Sequence, residues 1–294
     1  MTFAEKLRAE LATVTVKPNC CRRALAEGLL LGAEIDGQRQ IHVRYTQEAV
    51  AELAVEILSR QYGKAPEVTQ WGKCGHRYWD LSLSAPSCLK YLRSLDAEDA
   101  CVDSVFHFQC DACRSVFLRG VFLAVGTVSD PHKSFHLEFK LPHARMRLLS
   151  AFLTEMSYPA RTVTRNGQAG IYYKDSSSIE ELVTVMGSGT GIFEIMNSRI
   201  EREIRNNENR ATNCVARNIE KTIAAATRHI EAINKLMEAG KLESLPEALQ
   251  ETARQRYANP DASLDELVAI HVPSISKSGL NHRLQKIMEA ADEI

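Results

Sequence analysis

Eight cysteines offer the most readily named chemistry in this 294-residue sequence, because thiolates bind soft metals or form disulfides. Only Cys110 and Cys113 have the CxxC spacing of a metal-ligand pair. A zinc site needs about four ligands, and the nearest candidates, Cys101 and His107, supply no second recognisable pair. We therefore expect free thiols, with Cys110 at the start of a packed helix, and we expect no metal site and no cofactor.

Polar and basic side chains near the C-terminal end could instead contact nucleic acid. Residues 271–288 contain three basic residues and no acidic residue. Four apolar residues follow a helical period and predict a buried stripe: Leu280, Leu284, Ile287 and Ala291. The residues outside that stripe can bond to base edges or phosphates. We expect the DNA-binding set to be Ser276, Lys277, Ser278, Asn281, His282, Arg283 and Lys286.

The elements that must hold these residues follow a helix-turn-helix pattern. A capping box beginning at Ser263 predicts a short helix through His271. After a short turn, Ser276 is the expected N-cap of a second helix over 277–290. In helix-turn-helix proteins the N-terminal part of the second helix enters the major groove. A generic helical hairpin with a polar outer face is the alternative interpretation, and His271 is expected at the surface or at phosphate.

Positive charge is segregated along the chain although the net charge is only −1. Basic residues outnumber acidic ones nine to five over 107–175 and seven to four over 196–230. Candidate phosphate contacts in these stretches are Lys140, Arg161, Arg165, Lys174, Arg199, Arg202, Arg210 and Arg217. The arginines of the second stretch could equally form a solvated helix face.

An internal duplication organises the N-terminal two thirds. Residues 24–34 and 117–127 both predict apolar helices with small residues four positions apart: Gly28 with Gly32, and Gly120 with Ala124. Small residues on one helix face let two helix backbones approach closely. Each helix precedes the pattern of a strand, an amphipathic helix, a hairpin and a further helix. The second hairpin has an Asn166-Gly167 turn, so we expect two similar halves combining helices and antiparallel strands.

The string LRGVFLAVG, at 118–126, resembles the LAGLIDADG helix of homing endonucleases. With CCRRALAEG, CRSVFLRGVFLAVGTVSDP, KSFHLE and ISKSGLNHRL, the sequence resembles the WhiA family of bacterial sporulation and cell-division regulators nearly end to end. The resemblance implies an α+β fold: a degenerate, duplicated LAGLIDADG-like domain and an all-α helix-turn-helix domain. We place the first at 1–190, with halves of about 1–100 and 107–190, a linker or helical hinge at 191–213, and the second at 214–294.

Catalysis is not expected. The resemblance places a metal-binding acid near the end of each motif helix in active LAGLIDADG enzymes, and hard cations need such oxygen ligands. The matching residues here are Ala33 and Val125, which cannot bind magnesium. Glu34 lies one residue beyond, so a shifted register would supply at most one ligand in the first half.

The resemblance implies a non-catalytic DNA-binding transcriptional regulator involved in cell division and chromosome segregation, and in sporulation where a species forms spores. Its expected partner is double-stranded DNA, with transcription or division proteins as further candidates. The absence of a signal-peptide pattern or long apolar run predicts a cytoplasmic, nucleoid-associated protein with no membrane partner. A partner-binding adaptor and a residual site-specific nuclease are the alternatives. For the LAGLIDADG-like domain, DNA binding and protein binding are both left open.

Overall fold

The computed structural model describes residues 1–73, 75–165 and 168–294. Internal contacts divide the chain into an N-terminal unit, Met1–Arg202, and a C-terminal unit, Glu203–Ile294. No helix within the described ranges combines the length and the apolar character that crossing a bilayer requires.

The N-terminal unit repeats one order of elements after a first helix, α1 (Phe3–Thr13). The first half consists of α2 (Asn19–Leu29), β1 (Glu34–Ile35), β2 (Ile41–Tyr45), α3 (Glu48–Tyr62), β3 (Glu67–Lys73), β4 (His76–Leu83) and α4 (Pro86–Leu95). After the short helix α5 (Val102–Val105), the second half consists of α6 (Asp111–Val125), β5 (Gly126–Val128), β6 (Leu137–Leu141), α7 (His143–Glu155), β7 (Arg161–Arg165), β8 (Gln168–Tyr173) and α8 (Ser176–Met186). The predicted duplication and the α+β class are confirmed.

Each half forms a four-stranded antiparallel sheet with the same strand order, β1-β2-β4-β3 in the first and β5-β6-β8-β7 in the second. Side chains along a strand alternate between the two faces of its sheet. On β2, Ile41, Val43 and Tyr45 are buried while Arg44 is exposed. One face of each sheet therefore packs into the helical core and the other stays open. The predicted Asn166-Gly167 turn lies outside the described residues.

Helices α2 and α6 pack against each other at their small residues. A Cβ atom on Gly28 would lie 2.4 Å from the carbonyl oxygen of Phe117, and one on Gly120 would lie 2.7 Å from that of Leu25. Both are shorter than any ordinary contact, so the two helix backbones touch directly. A Cβ on Gly32 would instead lie 2.4 Å from Val125 Cγ1, while Ala124 packs half-buried against the core.

Both motif helices begin earlier than the apolar pattern predicted. The patterns began at 24 and 117, whereas the helices begin at Asn19 and Asp111. Pro18 and Cys110, in extended conformation, precede the two first turns. These first turns are rich in cysteine and charged residues, so the apolar periodicity does not extend to them.

The C-terminal unit is entirely helical in its described residues. Its elements are the latter part of α9 (Thr190–Glu238), a 3₁₀ turn (Leu242–Ser244), α10 (Glu247–Ala258), α11 (Leu264–Ile270) and α12 (Lys277–Asp292). The segment proposed as a linker, 191–213, lies within α9, which continues through the asparagines at 206, 207 and 209. The core of the unit includes Ile233, Leu249, Leu267, Leu280, Leu284 and Ile287.

Candidate nucleic-acid interface

Two side-chain caps fix where α11 and α12 begin. Ser263 Oγ accepts from the backbone N–H of Glu266 at 3.3 Å, and Glu266 Oε2 accepts from the backbone N–H of Ser263 at 2.7 Å. The same backbone hydrogen bond lowers the pKa of the Glu266 carboxyl. Ser276 Oγ accepts from the N–H of Gly279 at 3.1 Å. Each cap satisfies backbone donors that a helix start leaves free, so both helices begin at defined residues.

The buried stripe on α12 determines which of its side chains face solvent. Leu280, Leu284 and Ile287 are at most 1% exposed and belong to the core of the C-terminal unit. The opposite side of the helix presents the polar residues that the sequence predicted together. The exposed residues among them are Ser276, Lys277, Ser278, Asn281, His282 and Lys286, while Arg283 is half-buried.

Two basic residues of this set have intramolecular partners. Lys277 Nζ lies 2.7 Å from Asp265 Oδ2, an ion pair between α12 and α11. Arg283 Nη1 donates a long hydrogen bond of 3.4 Å to the carbonyl of Ala248 on α10. An exposed pair such as the first contributes at most about 1 kcal/mol, so phosphate can compete for Lys277. Arg283 is held partly against α10 and contributes less to an open surface.

His271 is buried, which corrects the expectation that it lies at the surface. Its Nδ1 lies 3.0 Å from the Pro273 carbonyl and its Nε2 lies 3.1 Å from Thr252 Oγ1. Both ring nitrogens thus bond within the fold, linking the turn before α12 to α10. His271 therefore positions the turn and presents no nitrogen to a ligand.

The candidate phosphate contacts of the second sheet lie on its open face and edge. Lys140 is exposed, with Nζ 3.5 Å from Glu138 Oε2 on the same strand. Lys174 Nζ lies 5.5 Å from the ring centre of Tyr172, and Arg161 is exposed on β7. The side chain of Arg165 lies outside the described part of the chain.

The first sheet has a polar cluster that sequence reasoning missed. Arg44 on β2 forms two hydrogen bonds with Asp80 on β4, at 2.7 and 3.0 Å, and stacks 4.9 Å from the Trp71 ring. Trp71 Nε1 donates to the same carboxylate at 2.8 Å, and the Arg44 bond holds the pKa of the Asp80 carboxyl below its usual range. The register of strand pairing brings these residues together, and no local sequence motif indicates that register.

The arginines of α9 fall into two groups, those that contact the rest of the N-terminal unit and those that are exposed. Arg199 pairs with Glu180 at 2.8 Å, and Arg202 lies 4.5 Å from the Phe135 ring and donates to the Pro131 carbonyl at 3.2 Å. These two secure α9 to the rest of the N-terminal unit, so we leave them out of the candidate interface. Arg210 and Arg217 are exposed.

The positions that would need metal-binding acids hold no carboxylate. Ala33 is fully buried, and its carbonyl accepts a hydrogen bond from Arg145 Nη1, which also donates to the Leu31 carbonyl at 3.0 Å. Val125 packs at Gly32. Arg8 Nη2 donates to the carbonyl of the residue after Val125, and burial lowers the pKa of this guanidinium. Cations thus cap the ends of both motif helices, where they complement the negative end of each helix dipole.

The cysteines form a cluster at the opposite ends of the same helices. The Sγ atoms of Cys20, Cys21, Cys110 and Cys113 all lie within 4.8 Å of one another. The prediction that no second ligand pair accompanies the CxxC is therefore wrong, because that pair comes from the first motif helix. Within the described residues this is the one group of three or more such side chains that could hold a metal ion.

Two family models match the chain. The model described as the WhiA LAGLIDADG-like domain matches residues 114–205, and the WhiA C-terminal HTH domain matches residues 209–291. The second match begins within α9 and extends through α10 and α11 to Ala291, one residue before the end of α12.

Curated relatives match over their full length. A protein of Clostridium novyi (strain NT) named "Probable cell division protein WhiA" is 40% identical to this chain, and the alignment covers 100% of this chain and 98% of the relative. A protein of the same name from Alkaliphilus metalliredigens (strain QYMF) is 30% identical, and the alignment covers 99% of this chain and 98% of the relative. The crystal structure of full-length DUF199/WhiA from Thermatoga maritima has a TM-score of 0.59 at 23% identity, over 100% of this chain and 99% of that one. At this identity the structural likeness shows the fold alone.

Proposed function

We propose, since the chain belongs to the WhiA family, that it is a regulator that binds double-stranded DNA through α12 without cutting it. The family membership rests on relatives at 30 to 40% identity over essentially the whole chain. Those relatives are named as probable cell division proteins. We extend that role to this chain, acting on transcription or chromosome segregation at the nucleoid, and on sporulation if its host forms spores.

The open polar face of α12 carries the proposal. Asn281, His282 and Lys286 are exposed on one side of a capped helix. Within the part of the chain that the structure describes, these three side chains have no hydrogen-bond or ion-pair partner. Asn can bond to adenine and Lys to guanine or phosphate in the major groove. The N-terminus of α12 adds backbone N–H groups that favour an anion such as phosphate.

The absence of cleavage is proposed from the ends of α2 and α6. Metal-assisted hydrolysis of a phosphodiester needs carboxylate oxygens that hold a divalent cation. Ala33 and Val125 offer none, and Arg145 and Arg8 place guanidinium groups at those helix ends. Asp96, the carboxylate beside Arg145, is already paired with that guanidinium at 2.8 Å, so it is not a free ligand for a divalent cation.

A titration tests both parts of the proposal. Fluorescence anisotropy would follow binding of the full-length chain to labelled random-sequence duplexes over a series of salt concentrations, with magnesium added in parallel. We expect affinity to fall steeply with salt, because bound phosphates release counterions, and we expect intact duplexes throughout. Product bands that depend on magnesium would overturn the non-catalytic assignment.

A partner-binding adaptor is the second candidate function. Val215, Ile219 and Ile223 are exposed apolar residues at intervals of four on α9. They line a groove of the C-terminal unit that Glu266 and Pro260 also border. The same titration separates the two functions, because an adaptor without a DNA surface shows no salt-sensitive binding to duplexes.

A further inference from the structure

Four thiols outside the candidate DNA interface converge from two distant parts of the sequence. Cys20 and Cys21 lie in the first turn of α2, and Cys110 and Cys113 lie at the start of α6. Cys21 and Cys113 are buried, Cys20 is half-buried and Cys110 is exposed. Nothing in the DNA-binding proposal uses these residues.

The distances match the edges of a metal-centred tetrahedron. Zinc–sulfur bonds of about 2.3 Å place tetrahedral sulfur ligands about 3.8 Å apart. The measured Sγ separations are 3.7 Å for Cys20–Cys110, 3.5 Å for Cys21–Cys110, 3.9 Å for Cys21–Cys113 and 3.5 Å for Cys110–Cys113. The remaining pairs also lie within 4.8 Å. Four of the six Sγ separations thus lie within about 0.3 Å of the tetrahedral edge, as in the ligand set of a closed structural zinc site.

The position of the cluster favours negative sulfur. It lies at the N-terminal ends of α2 and α6, where free backbone N–H groups and the positive ends of two helix dipoles stabilise thiolates. Several thiolates at this distance repel one another unless a cation lies between them.

We propose that Cys20, Cys21, Cys110 and Cys113 bind one Zn²⁺ ion that joins the N-terminal ends of α2 and α6. Two ligands come from each half of the duplicated domain, so the ion links the halves. The direct backbone contact at Gly28 and Gly120 holds the same two helices farther along. Metal binding displaces the thiol protons and leaves a tetrathiolate centre with no open position, which suits a structural role.

Zinc fits the cluster better than a disulfide does. A bond between Cys110 and Cys113 would use the exposed CxxC but leave the convergence of Cys20 and Cys21 unexplained. Thiolate ligands in a tetrahedral arrangement select zinc or iron. Zinc requires no redox partner. Identifying the metal bound after purification distinguishes zinc from iron directly.

Metal analysis of the untagged full-length chain tests the site. Protein purified without chelator from zinc-supplemented cells should contain about one zinc ion per chain, as one tetrahedral site requires. The double variant Cys110→Ser/Cys113→Ser should lose that zinc. A matched control, Cys101→Ser/Cys214→Ser, changes two exposed thiols outside the cluster and should retain it. Chelation should lower the thermal midpoint of the wild-type chain and of the control, but not of the double variant.

Cobalt substitution keeps the test decisive if the double variant does not fold. Cobalt added to metal-free wild-type chain should produce the intense absorption of tetrahedral cobalt bound by thiolates, and zinc should bleach it. Wild-type chain without zinc and without the cobalt spectrum would overturn the proposal. So would undiminished zinc in a folded double variant, a mapped Cys110–Cys113 disulfide in the metal-free native chain, or iron in place of zinc.

Discussion

At the scale of single residues, the polar face of α12 contains both side chains that already have a partner within the fold and side chains that have none among the described residues. Lys277 pairs with Asp265, and Arg283 leans on the Ala248 carbonyl. Lys286 is exposed nearly three turns beyond the N-cap, and we assign it a phosphate contact. Phosphate contacts set affinity and its dependence on salt, whereas base contacts set sequence preference.

Replacing Lys286 with alanine should reduce the dependence of DNA affinity on salt. Losing one phosphate contact lowers the slope of log affinity against log salt by about 1. Anisotropy titrations of the full-length chain at several salt concentrations give that slope. Lys241→Ala removes an exposed lysine between α9 and α10 and serves as the control. An unchanged slope for Lys286→Ala would remove Lys286 from the interface.

His229 should make the C-terminal unit unstable in acid. Burial first, then the charges of Arg256 and Arg228, lower its pKa to about 4, from an ordinary value of 6.5. Between these two values the unfolded chain binds the proton more readily, so stability falls as pH drops through this window. The loss is at most about 3 kcal/mol for a shift of this size.

Urea unfolding at pH 7.5 and pH 4.5 measures this effect. Both tryptophans, Trp71 and Trp79, lie in the N-terminal unit. The C-terminal transition is therefore the one that circular dichroism detects and tryptophan fluorescence does not. His229→Gln should flatten the pH dependence of that transition, whereas His282→Gln, at an exposed histidine, should leave it intact. Equal behaviour of the two variants would contradict the assignment.

The limits of sequence reasoning at this scale are visible in the histidines and cysteines. Periodicity identified the exposed set on α12, but it could not show that His271 bonds inward through both nitrogens. The thiol cluster was missed because its two pairs are far apart in sequence. The duplication indicated that the pairs correspond. Gly28 and Gly120 are 92 positions apart, and the same offset aligns Cys21 with Cys113 in the two halves.

At the scale of elements, the crossing of α2 and α6 organises the N-terminal unit. Strands β2 and β6 occur in the predicted order, between the motif helix and the amphipathic helix of each half, because alternating burial has a clear period. The first turn of α2 was missed because it lies outside the apolar pattern, and α1 was not identified. The start of α6 agrees with the expectation that Cys110 begins a packed helix. The register of strand pairing could not be predicted, so the contacts among Arg44, Asp80 and Trp71 were not predicted either.

Alanine at Gly120 or Gly28 should destabilise the N-terminal unit. Either Cβ would come within 2.7 Å of a backbone oxygen on the facing helix, which a side-chain rotation cannot relieve. Overpacking of this kind costs about 1 to 3 kcal/mol. That loss exceeds the gain of about 0.5 to 1 kcal/mol from replacing glycine inside a helix.

Urea unfolding followed by tryptophan fluorescence reports this loss in the unit that contains both helices. Gly37→Ala provides the control, because no atom lies within 4 Å of the added Cβ. We expect the unfolding midpoint to fall in Gly28→Ala and in Gly120→Ala. We expect no decrease of comparable size in Gly37→Ala. A wild-type midpoint in either helix variant would show that the helices separate at little cost.

At the scale of the whole molecule, two units could both meet DNA, and their side-chain partners distinguish them. In the N-terminal unit, Arg44 is bonded to Asp80 and Lys140 lies beside Glu138. Carboxylates on the same sheet faces thus offset positive charge there. On α12, Lys277 pairs with Asp265 of α11, but Lys286 has no ion-pair partner within the described residues. We therefore expect the C-terminal unit to provide most of the affinity for DNA.

Paired substitutions in the full-length chain decide between the units. Asn281→Ala/Lys286→Ala should weaken binding to a selected duplex by about 10-fold or more, since a base contact contributes about 1 to 3 kcal/mol and a phosphate contact adds to it. Lys140→Ala/Arg161→Ala should weaken it less than about 3-fold, because Glu138 already compensates Lys140 and surface ion pairs are weak. Equal losses would show that the open face of the second sheet binds DNA as strongly as α12. The LAGLIDADG-like unit would then have kept a DNA-binding surface after losing the acids that cleavage requires.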